Sequence, residues 1–356
     1  MTKIAIITDT HYGARSDNLI FLDYTKKFLD EIFFPYIDEH KIQYVFHLGD
    51  LVERRKYINY YTAYRMRCDF LSGIDCRNID FTILAGNHDV YYKDTNHINA
   101  LRELVEGQFP NFKVFWSPGE VDIDGIPILL VPWINAENRE QTLKLIKKTK
   151  AQICFGHLDL TGFEMHRGVM KQDGDSPTLF DKFDVVCSGH FHHMSARGNI
   201  HYLGAPLQFD WNDYNDPKGF HIFDTETREL EFIENPFVIF KKLFYSDSKK
   251  NIDEVVTKFD FDAYAGCFCK LIIEEKVNPY WFDLFVEKLE AAGVSNLQIV
   301  EDHKNLDLET DLDIISDAED TFTIFRKAIE GMDDKIDKNG LVQVISELYQ
   351  EAMSME

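Results

Sequence analysis

The stretch SGHFHH, residues Ser188–His193, decides how the rest of the chain is interpreted. A short apolar run from Phe183 to Cys187 precedes it and predicts a strand that runs into a loop. In an extended chain residues i and i+2 project to the same side, so His190 and His192 can reach one metal site together. A lone His-x-His is more often a surface or core pair, so a metal site needs support from other segments.

The composition predicts a folded chain of two or three domains. Its 356 residues are 45% hydrophobic and 14% aromatic, enough for a sizeable core. No segment approaches the roughly 18 consecutive apolar residues of a membrane span, and the N-terminus lacks the pattern of a secretory signal. The six cysteines form no CxxC pairs, and Cys267 and Cys269 lie in an apolar run, which indicates buried strand thiols. We therefore expect a reducing, cytoplasmic setting.

The formal net charge of -23 is unevenly distributed. Residues 301–356 contain 16 acidic and 5 basic residues, a net charge of -11 and nearly half of the excess. Such a charge argues against tight non-specific binding to nucleic acid without a partner, because that binding depends on Lys and Arg. It does not exclude a nucleic-acid enzyme, since five basic residues can form a basic local surface: Arg54, Arg55, Lys56, Arg65 and Arg67.

Four earlier segments repeat the pattern of a strand followed by polar side chains. The strand at 3–8 leads to Asp9 and His11, the strand at 43–48 to Asp50, the strand at 81–84 to GNHD at 86–89, and the strand at 151–155 to His157. Open α/β sheets place their sites at the carboxyl ends of strands. His47 lies inside the second strand, and we interpret it as a core or sheet-face residue.

The remaining pattern predicts a layered α/β domain that ends near Pro236. Helical spacing occurs at 18–39, with Pro35 as an interruption, and at 57–71 and 137–149; a hairpin at 121–131 turns at Asp124-Gly125, and further strands occur at 201–203, 219–224 and 229–233. Residues 237–302 suggest a separate small α+β unit without a catalytic cluster. Its helix has Asn278 as N-cap, Pro279 at the first position and Gly293 just past the end.

Residues 303–356 predict an acidic linker and two short amphipathic helices. These helices can either pack back on the core or bind a partner, and the pattern leaves both alternatives open.

The candidate metal ligands share one feature: each follows a predicted strand, and most lie beside or near a glycine. They are Asp9, His11, Asp50, Asn87, His157, His190 and His192. Any one of them could be structural, but five such strand ends in one chain make coincidence a poor explanation. Carboxylate, amide and imidazole ligands without thiolates favour Mn, Fe or Zn over an all-oxygen magnesium site.

The motifs DTH, GD, GNHD, GH and GHFH resemble those of the calcineurin-like metallophosphoesterase superfamily. The resemblance implies a sandwich of two central sheets flanked by helices and a pair of divalent metal ions. One ion would be held by Asp9, His11, Asp50 and His192, and Asp50 would bridge to a second ion held by Asn87, His157 and His190. His88 would be the general acid for the leaving oxygen, oriented by Asp89; the alternative for His88 is a hydrogen-bonding role beside the ligands.

Within that superfamily the chain most resembles the SbcD-type DNA repair nucleases, especially their short phage relatives. The stretches GDLVERRKYINYYTAYRM, VPW, YLGAPLQF and NDPKGFHIFDTET carry the similarity. It implies a DNA exo/endonuclease subunit of recombination and repair, acting through a metal-bound hydroxide with Mn²⁺, or alternatively Mg²⁺. It further implies a homodimer, for which the 57–71 helix is a candidate contact, assembled with an SMC-like coiled-coil ATPase in the host cytoplasm.

The same resemblance assigns a role to each segment. Residues 1–236 would be the nuclease domain, 237–302 a capping domain that shapes DNA access, and 303–356 the segment that docks on the ATPase.

Two departures from the family pattern keep other functions open. Some cellular relatives have a histidine three residues after the GD aspartate, where this chain has Glu53, so no substrate contact is carried over to that position. GDLVERR also resembles the GD-x-VDRG of Ser/Thr phosphatases, with Arg54 as a phosphate-binding arginine, but Arg55 replaces that motif's glycine. A small-molecule phosphodiesterase or phosphatase is therefore one alternative, and a non-catalytic scaffold is another.

Overall fold

The computed structural model describes residues 2–301, which fall into two compact units. The first unit comprises residues 2–209, 213–241 and 266–268, and the second comprises 210–212, 242–265 and 269–301. The functional roles expected for 1–236 and 237–302 stay predictions. The expected partner-binding segment at 303–356 lies outside the described residues. No helix within residues 2–301 is long and apolar enough to cross a membrane.

Two six-stranded sheets form the centre of the first unit. Their strands are β1 (Lys3–Ile7), β2 (Tyr44–His47), β3 (Asp80–Leu84), β4 (Phe112–Phe115), β5 (Gly119–Ile123), β6 (Ile126–Val131), β7 (Ile153–His157), β10 (Val185–Gly189), β11 (Ser195–Arg197), β12 (Ile200–Tyr202), β13 (Gly219–Asp224) and β14 (Leu230–Glu234). A small separate hairpin pairs β8 (Glu164–His166) with β9 (Val169–Met170). The sheet orders are β14-β13-β1-β2-β3-β4 and β11-β12-β10-β7-β6-β5.

The helices of the described residues are mostly short. They are α1 (Leu19–Phe28), α2 (Phe34–His40), α3 (Tyr60–Arg65), α4 (Ser72–Asp75), α5 (Ala100–Leu104), α6 (Arg139–Lys148) and α7 (Pro279–Ala291), with wider π turns at Leu29–Phe33, Met66–Leu71 and Asp253–Thr257 and 3₁₀ turns at Pro177–Phe180, Trp211–Asp213 and Asp262–Tyr264. Residues 15–17 all have positive φ, so the turn at 14–17 is left-handed rather than a regular helix.

The main core lies between the two sheets. Ile6 and Phe46 of the first sheet cluster with Ile128, Phe155 and Cys187 of the second, all fully or almost fully buried. The outer face of the second sheet carries another apolar cluster, which includes residues of α6. The inter-sheet core with helical cover confirms the expected layered sandwich.

One expectation about the helices is wrong. The sequence predicts an interruption of the first long helix at Pro35, but the chain stays helical from α1 through the π turn into α2. The Phe34 amide donates to the Leu29 carbonyl, so the hydrogen-bonding register shifts by one residue immediately before the proline. Pro35 then lies in the first turn of α2, a position where proline is tolerated.

The second unit is built on a three-stranded sheet and one longer helix. The sheet has the order β15 (Phe240–Ser246), β16 (Phe268–Glu275), β17 (Asn296–Val300). The Asn278 side chain accepts hydrogen bonds from the amides of Tyr280 and Trp281 at the start of α7. Gly293, just past the helix, has φ of +84°. The expected capping of this helix is therefore confirmed.

Candidate metal centre

The sheet topology brings the predicted ligands to one edge of the sandwich. β1, β2 and β3 are parallel neighbours, so the polar segments that follow them lie side by side. In the other sheet β7 and β10 are also parallel, and His157 pairs with Gly189 at their carboxyl ends. The two sheets pack face to face, and all seven predicted ligands meet where these strand ends converge.

The seven predicted ligands form two groups, and a further set of possible donors, His11, Glu53 and His88, shares His11 with the first. The first donor group is Asp9, His11 and His192, and the second donor group is Asp50, Asn87, His157 and His190. Apart from Asn87, the donor atoms within each group lie within 4.8 Å of one another. The Asn87 Oδ1 atom lies 3.0 Å from His157 Nε2.

Asp50 lies between the two groups. Its Oδ2 atom is 3.3 Å from His157 Nε2 and 3.8 Å from His11 Nε2, while its Oδ1 atom accepts a hydrogen bond from the His88 amide. Burial alone would raise the pKa of Asp50, but the neighbouring His157 and His88 imidazoles lower it well below its usual value. One carboxylate oxygen can therefore serve both groups.

Two glycines allow the strand ends to approach each other closely. A Cβ atom on Gly86 would lie 2.1 Å from Asp50 Oδ1, and one on Gly189 would lie 2.7 Å from Asp9 Oδ2. No side chain fits at either position without moving a carboxylate. These positions therefore need glycine for space beside a donor.

The donor residues themselves adopt strained backbone conformations. Asp9, His11, Asp50 and His190 have φ of 51°, 43°, 54° and 89°. Non-glycine residues seldom adopt positive φ, and such residues cluster at functional sites. The fold maintains this strain because the turns direct four donor side chains to one place.

The hydrogen bonding around His157 fits a cation. Its Nδ1 atom lies 2.7 Å from the Leu48 carbonyl oxygen, so Nδ1 carries the proton that it donates. In the neutral ring Nε2 then presents a lone pair to Asn87 Oδ1 and Asp50 Oδ2, two further acceptors. A cation among these three atoms would satisfy all of them at once. Burial would lower the pKa of His157, but the nearby Asp50 carboxylate raises it to about 9.

The first donor group has the same character. His11 Nε2 lies 3.0 Å from His192 Nε2, and two imidazole nitrogens at that distance need a shared proton or a shared cation. On the other side of the ring, His11 Nδ1 lies 2.7 Å from Glu53 Oε2, which is ion-pair distance although the alignment is not that of a regular hydrogen bond. Burial would lower the pKa of His11, but Glu53 raises it to about 9. The residues present therefore fit divalent cations in both groups.

His88 lies beside the donors, but the surroundings of Asp89 differ from those expected. His88 Nδ1 lies 2.6 Å from the Glu53 carbonyl oxygen, and its ring centroid lies 4.9 Å from that of His11. Asp89 does not hold the His88 ring. Its carboxylate accepts backbone hydrogen bonds from Asp50, from the next two residues and from Gly86. Asp89 therefore fixes the loop that presents Asp50, and the expectation that it orients His88 is corrected.

Sequence reasoning missed several residues around the donors. Asp159 Oδ1 lies 3.7 Å from His190 Nε2, and its place two residues after His157 in the same motif was an available signal. Phe209 packs its ring 5.3 Å from His11 and 5.4 Å from His192.

His47 is buried, with Nε2 3.0 Å from Thr10 Oγ1, as expected for a core residue.

The family of the chain follows from its similarity to known proteins. Residues 2–194 match the model of the calcineurin-like phosphoesterases. The chain belongs to this family and is a metal-dependent phosphodiesterase, as the motifs predicted. The fold class and the SbcD-type resemblance are thereby confirmed.

Three known proteins show the extent of the similarity. Exonuclease subunit 1 of Enterobacteria phage T4 is 31% identical over 98% of this chain and 99% of its own. The SbcD component of the SbcCD nuclease of Staphylococcus epidermidis is 32% identical over 29% of each chain. A solved structure of a novel archaeal phosphodiesterase covers 66% of this chain and 100% of its own at 16% identity, with a TM-score of 0.33, too low to carry an argument.

Proposed function

We propose that the chain is the nuclease subunit of a DNA exo/endonuclease that acts with an SMC-like ATPase in recombination and repair. The observation that carries the proposal is the pair of donor groups on either side of Asp50. The full-length similarity to a phage exonuclease subunit supports DNA as the substrate. Two divalent metal ions, Mn²⁺ in preference to Mg²⁺, match the mixed oxygen and imidazole donors.

Each donor group would hold one ion, and Asp50 would bridge the two. Bound there, the cations supply Lewis-acid charge that lowers the pKa of a water and neutralises charge developing on the phosphoryl oxygens. The protein residues keep the donors in place before substrate arrives. Asp89 fixes the Asp50 turn through four backbone amides, and the Leu48 carbonyl fixes the tautomer of His157.

His88 would donate the proton to the leaving oxygen. Its Nδ1 atom is engaged by the Glu53 carbonyl oxygen, so Nε2 is the nitrogen left for proton transfer. The contact also fixes the plane of the ring. Glu53 thus contributes twice, through its carbonyl to His88 and through its carboxylate to His11.

A phosphatase on the same fold is the less favoured alternative. It would use Arg54 to hold a phosphate, but the Arg54 guanidinium forms an ion pair with Asp17 and lies over the Tyr57 ring. The Asp17 carboxylate is also engaged by the Thr62 hydroxyl. Arg54 is thus committed to side-chain partners.

Homodimerisation is part of the proposal, with α3 as the contact. Tyr60 is 94% exposed, and Tyr57, Tyr61 and Tyr64 beside it are also exposed. Exposed aromatic residues grouped on one surface are typical of protein interfaces. A Tyr60→Ser, Tyr64→Ser variant is expected to be monomeric by light scattering where the wild type is dimeric. A dimer of unchanged stability would exclude this surface.

The decisive experiment is Mn²⁺-dependent degradation of linear duplex DNA beside a phosphomonoester. Wild type is compared with Asp50→Asn and with Asp181→Asn, a control at an exposed carboxylate. We expect DNA cleavage by the wild type and the control and none by Asp50→Asn. Rapid monoester turnover with intact DNA would instead establish the phosphatase. A wild-type chain that binds no Mn²⁺ and cleaves neither substrate would support a scaffold.

Partner binding is tested separately by ending the chain after Glu319. The shortened chain is expected to cleave a small phosphodiester in a metal-dependent way and to lose binding to the ATPase subunit. Retained binding would contradict the assignment of residues 303–356 as the docking segment.

A further inference from the structure

A buried charge cluster lies directly behind the first donor group. The Lys218 ammonium is 2% exposed; its Nζ atom lies 2.6 Å from Asp213 Oδ1 and 2.8 Å from Asp216 Oδ2. Its third contact, at 2.7 Å, is the carbonyl oxygen of His192. All three ammonium donors thus have an acceptor. Burial would lower the pKa of Lys218, but the two carboxylates raise it above its usual value, so the charge persists.

Such a cluster needs a reason beyond stability. A buried ion pair costs desolvation free energy that its attraction offsets only when the geometry is good, and an apolar replacement is often neutral. Here the cluster is complete, and one of its contacts is the backbone of a donor residue. Each member of the cluster holds a different part of the first donor group or of its surroundings.

Lys218 holds the backbone of His192. The His192 carbonyl accepts from Lys218 Nζ and from the Ala205 amide, so it is fixed by two donors. A Cβ atom on Gly204 would lie 3.0 Å from the same carbonyl oxygen, so the backbone at Gly204 packs closely against it.

Asp213 links the lysine to the wall of the first donor group. Its Oδ2 atom accepts a hydrogen bond from the Phe209 amide at 2.7 Å. The Phe209 ring in turn packs against the imidazoles of His11 and His192. Lys218 therefore supports His192 both through its carbonyl and, by way of Asp213 and Phe209, at its ring.

Asp216 connects the lysine to a histidine outside the donor groups. Its Oδ1 atom lies 2.8 Å from His193 Nδ1, and His193 Nε2 lies 3.4 Å from Glu164 Oε2. His193 directly follows His192 and is flanked by carboxylates at both ring nitrogens. The residue after the donor is thus held by two carboxylates.

We infer that Lys218, through its contact with the His192 carbonyl and through Asp213 and Asp216, is a positioning residue that sets His192 within the first donor group for its metal ion. It contacts no reacting atom and is not a ligand. The inference rests on the proposed metal centre. It predicts that metal binding by the first donor group depends on Lys218 and that metal binding by the second does not. The second donor group makes no contact with Lys218 among the interactions of the described residues.

The test is Mn²⁺ titration of the full chain by calorimetry and electron paramagnetic resonance. Lys218→Met keeps the length of the side chain and removes its charge. We expect affinity for one of the two ions to fall about 10–100-fold, as for other groups that orient ligands, with the other ion unaffected. At intermediate Mn²⁺ the variant should show the signal of an isolated ion, where the wild type shows a coupled pair.

Arg65→Met is the matched control. Arg65 is also buried and pairs with Asp69 and Asp23, but it lies on α3 and contacts no donor. This variant is expected to lose thermal stability while it binds both ions as the wild type does. Equal loss of both ions in the two variants would overturn the inference in favour of general destabilisation, as would a less stable Lys218→Met that binds both ions normally.

A milder variant covers the case in which Lys218→Met does not fold. Asp216→Asn leaves Lys218 with Asp213 and the His192 carbonyl but weakens the hold on His193. It is expected to weaken the same ion by a smaller factor, and wild-type binding of both ions would overturn the inference. If the wild type itself bound no Mn²⁺, the proposed function would fail first, so the two failures are distinguishable.

Discussion

The two donor groups are built from similar side chains but are held in different ways. In the second group the side chains of Asp50 and His157 contact backbone, the His88 amide and the Leu48 carbonyl, while the Asp89 carboxylate holds the loop that carries Asp50. In the first group the two histidines depend on charged side chains, Glu53 at His11 and Lys218 at His192, whereas Asp9 accepts from the His190 amide. A backbone contact remains after most side-chain substitutions, whereas a contact with a charged side chain is lost when that one residue is replaced. We therefore expect the first group to be the more sensitive of the two.

The largest effect is expected from crowding the junction of the groups. Gly86→Ala would place a Cβ atom 2.1 Å from Asp50 Oδ1 and 2.4 Å from its amide nitrogen, both inside the backbone-held region. Because Asp50 lies between the groups, we expect loss of both Mn²⁺ ions and of DNA cleavage. Overpacking should also lower the free energy of unfolding by about 1–3 kcal/mol. Calorimetry and urea unfolding measure the two effects.

Gly107→Ala is the control for this variant. No atom lies within 4 Å of a Cβ there, and only its φ of +74° disfavours alanine. It should cost about 1 kcal/mol and keep both ions. Normal metal binding by Gly86→Ala would show that the junction is less rigid than the comparison requires.

The second largest effect is expected from replacing His88, which should reduce catalysis without loss of metal binding by either donor group. His88 contacts Asp50 and Glu53 through hydrogen bonds and belongs to neither donor group. His88→Ser is expected to slow DNA cleavage about 10²–10⁴-fold, the range for a lost acid–base group, with both ions still bound. His97→Ser, at an exposed histidine, serves as control. Loss of either ion in His88→Ser would mean that His88 is a ligand.

Sequence alone predicted the donors better than their supports. The donors occupy the ends of strands, and period-two spacing places pairs such as Asp9 and His11 on one side of an extended chain. The supports follow no such period. Lys218 lies 26 residues after His192 in the chain, and only the fold brings its ammonium to that carbonyl. Positive φ at Asp9 and Asp50 was also not predicted, because aspartate is enriched in this conformation but adopts it in only a minority of cases.

Glu53 and Pro35 show two further limits of the sequence pattern. Glu53 stands out as a departure from related chains, but the pattern does not tell that its carboxylate faces His11 while its carbonyl faces His88. Pro35 predicts a helix interruption, whereas the π turn before it depends on a backbone register that sequence does not encode locally. Both depend on tertiary packing.

Neutralising Glu53, whose carboxylate lies beside His11, is expected to have a smaller effect than replacing His88. Glu53→Gln keeps the shape of the side chain and the carbonyl contact to His88, but it removes the negative charge 2.7 Å from His11 Nδ1. Affinity for the ion of the first group should fall about 10–100-fold, with the second ion unchanged. Mn²⁺ titration followed by magnetic resonance checks this. An equal loss at both ions would contradict the separate support of the groups.

The smallest effect is expected from neutralising Asp159, which lies beside His190 of the second donor group. Asp159 is the carboxylate nearest the His190 ring nitrogen, but the 3.7 Å separation is long and its side chain is 27% exposed. Lys171 also competes for the same oxygen at 3.3 Å. Because partly exposed ion pairs contribute about 0.2–1 kcal/mol, Asp159→Asn should weaken binding of the second ion by no more than about 5-fold. If this loss matched that of Glu53→Gln, charged side chains would support both groups equally, and the backbone contacts of Asp50 and His157 would not explain the difference.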